Sequence, residues 1–221
     1  MSKSTWLLWQ LADSAFPAGG FAHSFGLEAA WQQGEVGAAS VPSFVADAVS
    51  QAGQGGLPFV VSAHEDPLGL TAIDGRCDAF VRNAVANRAS RTQGRAWIGT
   101  VERSFPTPDV RRLCESIRSS GGPRHFAPVF GATLRTLEID RQETSRLFLF
   151  GVARGTLSAA VRLGIVGTMD AQRMLGECGG ALDRALERAE GLSIDEAAQT
   201  APLIDLWQAA HDRLYSRLFQ S

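Results

Sequence analysis

LFLFGVARGTLSAAVRLGIV, residues 147–166, is the stretch on which the fold class turns. Gly151, Gly155 and Ala159 recur every four residues, a spacing that sets them on one face of a helix. A smooth stripe of that kind lets another helix backbone approach closely. Close packing then offsets the roughly 0.5–1 kcal/mol that each interior glycine costs relative to alanine. Arg154 and Arg162 stand in this otherwise apolar run, so a membrane span is not expected. A buried arginine must find carboxylates or carbonyls. Snorkelling at the core edge would meet that need, and so would a subunit or partner interface.

Helical patterning continues outward in both directions, and strand-like alternation is scarce. Helices are expected over 5–12 and 24–33, and from Ser40 with Pro42 as cap and early proline up to the glycines 53–56. Others are expected over 57–64 and 74–104, the latter broken near Asn87. Thr107-Pro108 opens a further helix that the run 119–123 stops. Asp140 with Glu143 and Ser193 with Glu196 have capping-box spacing, and Thr200-Ala201-Pro202 opens the final helix. The expectation is a single all-α domain over residues 1–221, an orthogonal bundle of about ten helices.

The chain has 221 residues, 45% of them hydrophobic, which is enough to bury a sizeable core. A formal net charge of -2 and a pI near 6.1 create no demand for nucleic acid or an anionic membrane. Three scattered cysteines without a CxxC pair point to a reduced, cytoplasmic setting. No P-loop, GxSxG, HExxH or EF-hand spacing occurs, so neither a catalytic constellation nor a fixed metal cage is expected. His64-Glu65-Asp66 offers at most a poorly directed metal contact, because consecutive residues at a helix end diverge. Arg88, Arg91 and Arg95 share one helix face, open to solvent or to a docking protein. No aromatic platform accompanies them for nucleic acid.

The second informative stretch is QLADSAFPAGGFAHSFGLEAAWQ, residues 10–32. Its backbone must bend at Pro17, Gly19 and Gly20 while carrying Phe16, Phe21 and Phe25. His23 answers either to local backbone or to a partner or transient metal. Glu28, in the first turn of the next helix, is either solvated or paired with a basic partner. At the other end, Leu203, Leu206, Trp207, Ala210, Leu214 and Leu218 form a helical stripe of the kind usually found in a core. Beyond it come His211, Tyr215, Arg217 and Phe219, residue types that serve at protein interfaces.

Both ends resemble the UreF family of urease accessory proteins, as do HFAPVFG (125–131) and the arginine-rich helix around 88–94. Phe21 stands where many members have tyrosine, and Arg162 where a basic residue recurs. The resemblance implies an all-α, dimerising, non-enzymatic maturation factor. It would bind the accessory protein UreD (also called UreH) and recruit or regulate the GTPase UreG. The assembly would act on urease apoprotein, delivering nickel with no intrinsic cofactor in this chain. On that basis Phe21, His23, Phe25, Glu28, His211, Tyr215, Arg217 and Phe219 are expected to form one composite partner-binding surface. Arg88, Arg91, Arg154 and Arg162 are candidates for dimer or GTPase contact. The alternative is an all-α enzyme or ligand-binding domain with an enclosed pocket, with His125 or His211 among its polar groups.

Overall fold

Capping chemistry and apolar spacing set the helices of the computed structural model, which describes residues 3–221 and holds no strand among them. In chain order they are α1 (Lys3–Ala12), α2 (Leu27–Gln32), α3 (Val41–Gln51), α4 (Leu57–Glu65), α5 (Leu70–Phe80) and α6 (Ala84–Ser104). There follow α7 (Pro108–Ser119), α8 (Phe126–Thr136), α9 (Arg141–Arg162), α10 (Thr168–Glu177), α11 (Gly179–Ala189) and α12 (Pro202–Ala210). The chain is all-α, as expected. No described helix is long and apolar enough to cross a membrane.

Local chemistry explains where the boundaries fall. Thr107 Oγ1 accepts the Val110 N–H and Asp140 Oδ1 the Glu143 N–H, so both caps are in place. The Asp140 box is only half closed, because the Glu143 carboxylate turns to Arg146. Ser193 and Glu196 do bond each other, but around a single 3-10 turn, Ile194–Glu196. Ser40 stands at the N-cap position of α3 with Pro42 in the first turn, as expected, but its hydroxyl accepts the Gly37 N–H instead of a helix N–H. The break in 74–104 comes before Asn87, where Asn83 Oδ1 takes the N–H groups of Val85 and Ala86 and starts α6.

Residues 53–56 separate α3 from α4 as expected, but as a wide π-type turn over Ala52–Gly56 that joins them without a loop. Gly53 and Gly55 provide room. A Cβ on Gly53 would lie 3.1 Å from the Ala185 carbonyl oxygen, and one on Gly55 the same distance from that of Ala198. The last helix stops at Ala210, so the stripe from Leu203 to Leu218 is not one face. Leu203, Leu206 and Leu218 are exposed, while Ile204 is the buried residue of α12.

Helix α9 packs against α3, α4, α10 and α11, while α8 bridges α4 and α6. No residue from 147 to 163 is fully exposed. The helix therefore packs mainly into the core, with Leu147, Phe150, Gly151, Arg154, Ser158 and Arg162 left half-buried along it. Its small-residue stripe meets no second helix backbone. Gly155 faces the Phe25 ring, and a Cβ on Gly151 would touch nothing within 4 Å. Backbone contact occurs instead at Gly131 of α8 on Val60, and at Gly94 of α6 on Arg124. Trp97 is buried among Phe16, Phe126 and Phe130, and its indole N–H donates to Thr133 Oγ1 at 2.7 Å. One apolar cluster runs from Leu11 to Phe219.

Candidate docking site

The N-terminal loop is tied down before it reaches the site. Phe16 packs on Trp97 and Phe105, and the Pro17 carbonyl accepts the Thr100 hydroxyl at 2.9 Å. A single 3-10 turn over Gly20–Ala22 follows. Phe25 and Gly26 then sit in succession in the left-handed region, with φ of 56° and 86°. Gly26 answers a steric demand as well, since a Cβ there would lie 3.1 Å from the Gln208 backbone nitrogen of α12. That corner points α2 at the far end of the chain.

The far end returns over the loop. After α12 comes one 3-10 turn, His211–Arg213, and then an extended tail. Ser24 N–H donates to the Ser221 carbonyl at 2.7 Å, and Gln220 N–H to the Ala22 carbonyl at 2.9 Å. Glu28 is the hub. Its carboxylate accepts the N–H of Leu218 at 2.6 Å, that of Phe219 at 3.1 Å, and His211 Nε2–H at 3.0 Å. The guanidinium of Arg162 lies between the rings of Phe21 and Phe219, 3.7 and 4.3 Å from their centroids, and donates to the Phe21 carbonyl. Stacking of this kind suits a planar cation with few bulk waters around it.

Loop and tail are thus brought together as expected, but not all of the named residues face outward. Phe21 and Tyr215 are exposed, as is half of Arg217, whose guanidinium lies 3.4 Å from Asp212. Phe25 is half-buried against Gly155. His23, Glu28, His211 and Phe219 are buried. Glu28 is neither solvated nor waiting for an external base, because the chain's own tail fills its acceptor capacity. The Arg88 guanidinium holds Asp212 at 2.8 Å, and Arg91 lies 4.0 Å from Asp78. Arg154 and Arg162 are engaged within the chain on the carbonyls of Ala12 and Phe21.

Three neighbours of the site escaped the sequence reading: Ser24, Gln32 and Ser221. Gln32 at the end of α2 donates to the Ser216 carbonyl. Nothing in their local spacing marks them, since each acquires its neighbour only when the two ends meet. His125 and His211, offered as pocket residues, bond inside the protein to Ser90 with Asp78 and to Glu28. His64 gives Nε2 to the Ile139 carbonyl. Among the described residues no three histidine, cysteine or acidic side chains group as a metal site.

His23 sets the electrostatics of the seam. Its Nδ1 lies 2.6 Å from Ser221 Oγ, and its Nε2 has no partner. Burial, and then the nearby His211, lower its pKa from 6.5 to about 4. The unfolded chain therefore binds a proton there more readily than the folded one. Stability is full above pH 6.5 and is lost as pH falls towards 4, by on the order of 3 kcal/mol at the acid end. Urea unfolding across that window should show the slope, and His23→Gln should flatten it.

The UreF family model matches residues 36–179, from the turn after α2 to the first residue of α11. Urease accessory protein F of Arabidopsis thaliana is 38% identical, with 98% of this chain and 92% of the relative covered. The protein of that name from Oryza sativa subsp. indica is 34% identical over 98% and 85%. Urease accessory protein UreF of Rhodopseudomonas palustris (strain BisB5) is 29% identical over 100% and 92%. The alignment with the Rhodopseudomonas palustris protein spans the whole chain, so both end segments lie within it. On a matched profile over more than half its length, and on relatives that span nearly all of it, the chain belongs to the UreF family of urease accessory proteins.

Proposed function

We propose that this chain is a docking protein without catalytic activity of its own. It binds a UreD/UreH-like partner and recruits or regulates a UreG-like GTPase while nickel is delivered to urease apoprotein in the cytoplasm. The observation that carries the proposal is the seam of loop and tail, fixed from within by Glu28 and Arg162. With the seam fixed, Phe21, Tyr215, Leu218 and half of Arg217 stay exposed on the two joined segments and supply the proposed docking surface. Ordering these side chains beforehand lowers the entropy cost of association. Aromatic and arginine anchors are the residue types that dominate binding energy. A homodimer through the half-buried side of α9 that carries Arg154 and Arg162 forms part of the same proposal. A monomer in light scattering at tens of micromolar would count against it.

Arg217→Ala is expected to abolish capture of the UreD-like partner in pull-down while the helical circular dichroism spectrum stays unchanged. Undiminished capture would remove Arg217 as an anchor. Arg88, Arg91 and Arg217 are also the candidates for a trans-acting arginine on the GTPase. Their carboxylate contacts are solvent-exposed and therefore weak enough to exchange for a nucleotide phosphate. Stimulated GTP hydrolysis on mixing, lost in one of these variants, would identify it.

A further inference from the structure

Behind the docking seam lies a cavity of about 660 Å³, between the N-terminal loop, α6, α9 and α12. Its walls include Phe16, Phe25, Trp97, Phe126 and Phe148, and its size is that of a small-molecule pocket. Gly151 lines it too, where a Cβ would find nothing within 4 Å. Three residues on, along the same helix face, Arg154 reaches the cavity. Its guanidinium donates to the Ala12 carbonyl and lies 5.8 Å from the Phe150 ring, leaving most of its five donors without a protein acceptor. Arg162 lines the cavity as well, and neither arginine has a carboxylate partner among the described residues. The one acid in the lining, Asp205, bonds Gln51. His23 adds a buried Nε2 with no partner.

An apolar space with two arginines at its wall, on which Asp13 acts only at a distance and to which no carboxylate is bonded, is complementary to an amphipathic anion. The lining is predominantly apolar and rich in phenylalanine, which suits a single acyl chain. We propose that the cavity binds a medium-chain fatty acid, with the chain among the phenylalanines and the carboxylate on Arg154. This goes beyond the docking role and does not depend on it, since either can fail alone.

The test is isothermal titration of the full chain with octanoate, decanoate, dodecanoate and, as the uncharged control, decanol. One-to-one saturable binding is expected, tightening by up to about fourfold for each added methylene. Decanoate should bind at least tenfold more tightly than decanol, and Arg154→Met should erase that preference. Gly151→Leu fills the space from a helix position that tolerates a side chain and should remove binding with an unchanged circular dichroism spectrum. Ser158→Phe does the same from two turns further along, should Gly151→Leu not fold. Absence of saturable binding by the wild-type chain overturns the proposal, as does equal affinity for acid and alcohol. Loss of partner capture in Gly151→Leu, without fatty-acid binding by the wild type, would assign the groove to a protein segment and also overturn it.

Discussion

Glu28→Ala is expected to free the chain from His211 to Ser221 and to cost about 3 kcal/mol or more. The size follows from what the carboxylate holds. Two backbone N–H groups, on Leu218 and Phe219, and the His211 ring all donate to it in a buried setting. Alanine offers no acceptor, so each donor must either find water or remain unsatisfied. Opening the tail is the less costly outcome, and it also unstacks Phe219 from Arg162. Hydrogen exchange should report it directly, as lost protection at the amides of Leu218 and Phe219 while α8 stays protected. Equal protection in the variant would mean that the Ser24–Ser221 bonds and the Arg162 stack hold the tail without Glu28. Partner capture should fail as well, but for a different reason than in Arg217→Ala. There an anchor is removed from an ordered patch, whereas here the patch itself loses its order.

The sequence disclosed this seam only in part. Thr107 and Asp140 could be read as caps because both partners lie within one turn. Glu28 and Leu218 are 190 residues apart, and first-turn acids are ordinarily solvated, so no local rule separates this one from the rest. Resemblance to a family brought the two ends into one surface without saying which side chains turn inward. Arg162 is similar. Its place in an apolar helix demanded carbonyls or carboxylates, but the ring-carbonyl-ring arrangement needed Phe21 and Phe219 to meet first. The glycines misled for one reason throughout: a glycine serves equally to end a helix, to bend a loop or to admit a neighbour. Sequence spacing favoured Gly151 and Gly155 for close packing, and three-dimensional contact assigns that role to Gly94 and Gly131.

Gly131→Ala tests that reassignment and should be among the most damaging glycine-to-alanine changes in the protein. A Cβ at Gly131 would lie 2.9 Å from the Val60 carbonyl carbon and nearer still to its oxygen. Both belong to the backbone of a helix, so no rotamer change relieves the clash. α4 and α8 must separate, opening a core that contains Phe59 and Leu134, with a loss of about 3 kcal/mol or more. Gly94→Ala should behave likewise, because the Arg124 carbonyl it meets cannot retreat. Asp74 holds that loop by accepting the N–H groups of Arg124 and His125 at 2.6 and 2.8 Å. The control is Gly151→Ala, the same change on a helix face with open space. It should stabilise the chain by about 0.5–1 kcal/mol through helix propensity alone. Urea midpoints of the three variants therefore ought to split, two falling and one rising. If all three moved together, backbone proximity would not be what these glycines are for, and the close packing of α8 on α4 and of the 121–125 loop on α6 would lose its explanation.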